Sequence, residues 1–104
     1  MRILVVDDER VVRDVLTRML TRLGFEVVAF PDGPEAVEYY RANSNEVDLA
    51  IIDLSMPRMS GRDCLSHLKA TNPRVRAIFS SGYDGGAVGE QEDHAVLGFI
   101  QKPF

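Results

Sequence analysis

Ile3-Leu4-Val5-Val6 is an unbroken apolar run, rich in β-branched residues, that stops abruptly at Asp7-Asp8. A continuous run of this kind describes a strand covered on both faces, as in a parallel sheet, whereas a half-exposed strand would alternate. The same pattern returns at Leu49-Ala50-Ile51-Ile52, which stops at Asp53. Between such runs the apolar residues switch to helical spacing. Val12, Leu16, Met19 and Leu23 mark one helix, with Arg13, Arg18 and Arg22 turned toward water and Gly24 supplying its end. Phe25 to Phe30 reads as a second strand, closed by the turn Pro31-Asp32-Gly33, and Pro34 to Ala42 as a second helix with proline in its first turn. After Asp53 come the loop 54–61, a helix over 62–71 closed by Asn72-Pro73, and a fourth strand over 75–80. Tyr83 to Ala95 is helical by position, but Gly85, Gly86 and Gly89 each cost about 1 kcal/mol relative to alanine, which predicts a short or mobile helix. Val96 to Gln101 completes five strands. Strands alternating with helices imply right-handed crossovers and a doubly wound parallel sheet with helices on both faces.

The 104 residues allow one domain, and neither repeat nor linker divides it. A net charge of −4 offers no footprint for nucleic acid or an anionic membrane surface. Cys64 stands alone, which excludes an internal disulfide framework, and no apolar run approaches the ~20 residues that span a bilayer. The opening residues lack the apolar core of a signal peptide. The expectation is a soluble, cytoplasmic domain.

In an open parallel sheet, ligands bind beyond the carboxyl ends of the strands, where strand order reverses. Asp7 and Asp8 occupy that end of the first strand and Asp53 that end of the third. If those strands are neighbours, three carboxylates share a small volume. Two unit charges ~4 Å apart repel by about 4 kcal/mol at an effective dielectric of 20, so a cation or bound protons must compensate. Hard oxygen ligands with open positions suit Mg²⁺, which also favours phosphate oxygens. The bland alternative is that Asp7-Asp8 caps a helix and Asp53 merely ends a strand. Taken singly each aspartate favours that alternative, whereas together at matching strand ends they favour a site. Ser81, followed by Gly82, ends the fourth strand. Lys102, followed by Pro103 (a candidate cis peptide that could aim the lysine), ends the fifth. A hydroxyl and an ammonium facing a carboxylate-bound metal make a cradle for a transferring phosphoryl group.

Ile-Leu-Val-Val-Asp-Asp-Glu at 3–9, Asp-Leu-Ser-Met-Pro at 53–57 with Gly61, Ser-Gly-Tyr at 81–83 and Gly-Phe-Ile-Gln-Lys-Pro-Phe at 98–104 together resemble the receiver domain of bacterial two-component response regulators. The resemblance runs from Ile3 to Phe104 and implies a flavodoxin-like sheet of order 2-1-3-4-5. It implies that Asp53 takes a phosphoryl group from the phosphohistidine of a sensor histidine kinase or histidine phosphotransfer domain. Asp8, Asp53 and the backbone carbonyl of Ser55 would hold Mg²⁺ directly and Asp7 through water; Mn²⁺ or Ca²⁺ could substitute. Lys102 would pair with the phosphoryl oxygens, Ser81 would hydrogen-bond them, and Phe99 would swing inward as a switch. The output would pass to a downstream effector or a neighbouring domain of a longer chain. Tyr83 is placed to screen the acyl phosphate from water. Receivers usually continue into a fifth helix after Lys-Pro-Phe, so residues 1–104 read as one receiver domain truncated after its fifth strand, with an apolar flank for another segment or chain to cover.

Other residues are given plainer roles. His67 and His94 lack metal-ligand spacing and read as surface histidines. Cys64 reads as helix packing, Met19, Met56 and Met59 as core and loop packing, and Glu9 as a first-turn helix charge instead of a ligand. Phe99 is as consistent with plain core as with a switch. Two rival functions stay open. One is an aspartyl-nucleophile phosphatase, although the haloacid dehalogenase class carries a second acid two residues after its nucleophile, where this chain has Ser55. The other is a receiver-like interaction module that works without phosphorylation.

Overall fold

The computed structural model describes residues 1–82 and 94–102. Its elements are β1 (Arg2–Val6), α1 (Arg10–Arg22), β2 (Glu26–Phe30), α2 (Gly33–Asn43), a 3₁₀ turn (Ser44–Glu46), β3 (Leu49–Asp53), α3 (Gly61–Thr71), β4 (Ala77–Ser81) and β5 (Val96–Gln101). The five strands form one parallel sheet of order β2-β1-β3-β4-β5, the expected flavodoxin-like topology. Tyr83, Pro103 and all but the last two residues of the expected fourth helix lie outside the described residues.

Strand alternation divides the core between the two faces of the sheet. Leu4, Val6, Ala50, Ile52, Ala77 and Phe79 point to one face. There they meet Ala36, Val37 and Tyr40 of α2 and Cys64, Leu65 and Leu68 of α3. Ile3, Val5 and Ile51 point to the other face, where Leu16 of α1 covers them. On that second face Leu49, Ile78 and Ile100 are only partly buried. The central strands are therefore enclosed on both sides, which is why their sequences run apolar without alternation.

The helix ends follow local chemistry. Asp32, read as part of a turn, is the N-cap of α2 and accepts from Glu35 N at 2.9 Å, with proline in the first turn behind it. Ser60 caps α3 by accepting from Asp63 N at 3.1 Å. After α1, Gly24 sits at φ 96°, the left-handed region where a side chain would be strained.

Two expectations for α1 fail. Met19 is 45% exposed and Leu23 69% exposed, so neither is core; Leu20 turns inward with Val12 and Leu16 instead. Arg13 does not point free into water but donates to the Asp7 carbonyl at 2.7 Å. The fourth strand begins at Ala77, two residues later than expected, because Asn72 accepts from Val75 N and Arg74 N in a turn.

Candidate functional site

Register fixes the site. Val6 of β1 stands level with Ile52 of β3, so the next residues, Asp7 and Asp53, leave neighbouring strands at the same height. Asp7 shares the parity of Val5, Asp53 that of Ile51, and Lys102 that of Ile100, so all three belong to the α1 side of the sheet. Lys102 N donates to Ser81 O at 2.8 Å, which carries the β4–β5 pairing one step past Gln101 and sets the lysine over the acids.

The Lys102 ammonium lies 3.0 Å from Asp7 Oδ2, 3.3 Å from Asp53 Oδ2 and 3.0 Å from Glu9 Oε1. Asp7 and Asp53 are buried, whereas Asp8 is exposed at the mouth. One carboxylate oxygen from each of Asp7, Asp8 and Asp53 lies within 4.8 Å of the others. Each carboxylate is aimed by the backbone beside it: Asp7 Oδ1 accepts from Glu9 N at 2.8 Å and Asp53 Oδ1 from Ser55 N at 3.1 Å. Leu54 N donates to Ser80 O, and Gly61 N to Leu54 O, so the loop after Asp53 folds back over the strand end. Gly61 is required there, since a Cβ would run into the Asp53 carbonyl oxygen and approach Leu54 Cα at 2.8 Å. Arg58, in the same loop, holds a left-handed φ of 71° and places its guanidinium 3.5 Å from Asp32 Oδ2.

Burial, with the neighbouring Asp7 charge and the Asp8 carboxyl, pushes the Asp53 carboxyl up to about 6, against the opposing pull of Ser55 N and Lys102. Burial alone would lower the Lys102 pKa. Its contacts with Asp7 and Glu9 and the Asp53 charge outweigh that and hold it above its ordinary value. Asp7 Oδ2 is buried and meets the ammonium as a charge contact without hydrogen-bond geometry, so it retains unused acceptor capacity. Three closely spaced oxygen donors from two strands, one of them buried and under-satisfied, fit a hard divalent cation better than they fit each other.

Glu9 is where the sequence reading fails. It is the N-cap residue of α1, but its side chain makes no capping bond and reaches Lys102 instead. The available signal was a third acid directly after the Asp pair. Other expected residues divide. Ser81 is buried at the end of β4, and Ser55 is exposed beside Asp53. Phe99 is half-buried and stacks on Phe79 at 5.8 Å between centroids, and the Arg62 guanidinium lies 5.3 Å from the centre of the Phe79 ring. Met56 and Met59 pack against the core, and Cys64 is fully buried, its thiol pushed up to about 12 by burial. His67 and His94 are exposed.

The family model described as the response regulator receiver domain matches residues 3–104. The chain belongs to that family. It is 38% identical to the chemotaxis protein CheY of Bacillus subtilis over 110 residues, covering 99% of this chain and 86% of CheY. It is 37% identical over 103 residues to the sensor kinase CckA of Brucella abortus, covering 98% of this chain but only 11% of the kinase. Among solved structures, it superposes on the response regulator TrrA of Thermotoga maritima, determined in complex with Mg²⁺-BeF, with a TM-score of 0.83 and 29% identity; 99% of this chain and 87% of that one are covered. Receiver domains are signalling modules of two-component systems, mostly not enzymes, that bind Mg²⁺ and interact with histidine kinases and effectors. No helix among the described residues is long and apolar enough to cross a membrane.

Proposed function

We propose that residues 1–104 form a phosphoacceptor switch in which Asp53 takes a phosphoryl group from a histidine kinase or histidine phosphotransfer domain, in the cytoplasm, and passes the state to an effector or a neighbouring domain. One observation carries this reading: a single ammonium is held within 3.3 Å of buried carboxylates from two adjacent strand ends. Such a site has little use as structure alone, because three acids gathered beyond a sheet edge cost stability that solvent exposure would have saved.

The chemistry follows from the groups present. With its carboxyl near 6, Asp53 is largely ionised at neutral pH and can act as a nucleophile. An Asp53 oxygen bonds to phosphorus as the phosphorus–nitrogen bond of the phosphohistidine breaks. The electron pair leaves with the imidazole nitrogen, and the product is an acyl phosphate that water can hydrolyse. Asp8, Asp53 and the Ser55 carbonyl would hold Mg²⁺, with Asp7 acting through water; Mn²⁺ or Ca²⁺ could take the same place. The bound ion would offset negative charge on the carboxylates and the phosphoryl oxygens. Lys102 has donors to give those oxygens in exchange for its present acids. Ser81, at the end of the neighbouring strand, would hydrogen-bond the group, and Phe99 would pack inward behind it. The phosphoryl group thereby favours one of two loop arrangements, which is a population shift.

Incubation with acetyl phosphate and Mg²⁺, read by intact mass, tests the chemistry. A phosphoryl adduct should form on the wild type and vanish with EDTA or in Asp53→Asn. An adduct that persists in Asp53→Asn would place the acceptor elsewhere, and no adduct on the wild type would favour an interaction module that works without phosphorylation.

A further inference from the structure

An ammonium has three donors, and Lys102 faces three acids. The closest contacts are with Asp7 and Glu9, both at 3.0 Å, and the longest, at 3.3 Å, is with Asp53. Asp7 and Asp53 are buried to within 3% of full enclosure, whereas the Glu9 side chain is 60% exposed. Capping does not account for the position of Glu9, since its side chain makes no cap bond. The lysine does account for it. Glu9 therefore pulls the ammonium outward, while the two buried acids pull it in.

We propose that Glu9 is a positioning residue that holds the Lys102 ammonium at the rim of the acidic pocket and so keeps Asp53 open to a divalent ion and a phosphoryl donor. The inference rests on the acceptor reading of the site. Without the Glu9 charge, the ammonium has only Asp7 and Asp53 left to neutralise and settles onto the oxygens an incoming cation needs. Loss of a negative charge near the mouth acts in the same direction, so removing Glu9 weakens cation binding by both routes.

Calorimetric titration of the metal-free protein and its variants with Mg²⁺ separates the two routes, because the Glu9 oxygen, 3.0 Å from an ammonium that is itself 3.0 Å from Asp7, is too close to the acids for salt to screen. Glu9→Gln should weaken Mg²⁺ binding about two- to fivefold, the range of an exposed ion pair. Glu9→Asp keeps the charge but shortens the reach to Lys102, and should weaken binding nearly as much as Glu9→Gln. In a Lys102→Met background, Glu9→Gln should lose most of its effect. Wild-type affinity in Glu9→Gln overturns the proposal. So does wild-type affinity in Glu9→Asp, which would make Glu9 a simple charge at the mouth, or an undiminished loss in the Lys102→Met background. If the wild type itself binds no Mg²⁺, the acceptor reading fails and takes this role with it. A double-mutant cycle of Glu9→Gln and Lys102→Met in metal-free unfolding would still measure the contact, now as a structural one.

Discussion

Removing the Asp53 charge should make the metal-free domain more stable, by an amount and over a pH range that follow from its surroundings. Asp53 sits beside Asp7 in a buried position that raises its carboxyl from 3.8 to about 6. A raised carboxyl means the folded state binds its proton more tightly than the unfolded chain does. Below pH 3.8 both states are protonated and Asp53 contributes no difference. Between that point and about 6 the folded state keeps a proton the unfolded state has lost, so stability falls as pH rises. Above about 6 both states are ionised and the folded protein carries the full penalty. A shift of about two units at ~1.4 kcal/mol each sets a ceiling near 3 kcal/mol. Asp53→Asn also gives up the contact with Lys102, and solvent at the mouth screens the charges, so about 1–2 kcal/mol is the expected gain. Urea unfolding in EDTA, followed by circular dichroism at pH 8 and pH 4, measures it. The substituted protein should be more stable at pH 8, and the gap should close at pH 4. Saturating Mg²⁺ should stabilise the wild type and leave Asp53→Asn nearly unmoved. A variant less stable than wild type at pH 8 would mean that Lys102 already overcompensates the acids, and the reasoning from crowded charge would fail.

Three further substitutions or probes test the surroundings. Gly61→Ala forces a Cβ against the Asp53 carbonyl and Leu54, and should cost about 1–3 kcal/mol in urea unfolding; wild-type stability would show that the loop yields freely. Arg58→Asn relaxes a left-handed φ of 71° at the expense of an ion pair whose arginine is 71% exposed. It should therefore gain up to about 1 kcal/mol, and a lower urea midpoint would assign real weight to the Asp32 contact. Cys64, fully buried with its thiol raised to about 12, should react with a thiol-directed disulfide reagent only as fast as the domain opens, and rapid modification of the native protein would contradict its packing.

Most of the fold was legible because a buried parallel strand has an unmistakable composition. Leu49–Asp53 follows its apolar run, and β5 keeps its expected bounds, Val96–Gln101, although none of its residues is fully buried. The errors lie where two arrangements satisfy the same period. On α1, Val12 and Leu16 can be extended by Met19 and Leu23 or by Leu20, since both sets fall within one apolar stripe. Only the partners decide, and Ile3, Val5 and Phe25 lie on the Leu20 side. The 3₁₀ turn at Ser44–Glu46 carries no apolar signal in sequence, because Arg2 holds it from across the chain through Glu46 at 2.6 Å.

The site divides along the same line. In a parallel sheet every strand delivers its carboxyl end to one rim, so an acid that directly follows an apolar run has few places to go. That is why strand position alone brings Asp7, Asp53 and Lys102 together. Glu9 could not be added by the same reasoning. An acid at a helix N-terminus is already explained by the dipole, and its actual partner stands 93 residues further along. Sequence position reports which strand end a side chain leaves from, whereas the choice among acceptors at that rim depends on differences of a few tenths of an ångström. Lys102 lies 3.0 Å from Asp7 and Glu9 and 3.3 Å from Asp53, so of the three acids Asp53 is the one it holds least closely.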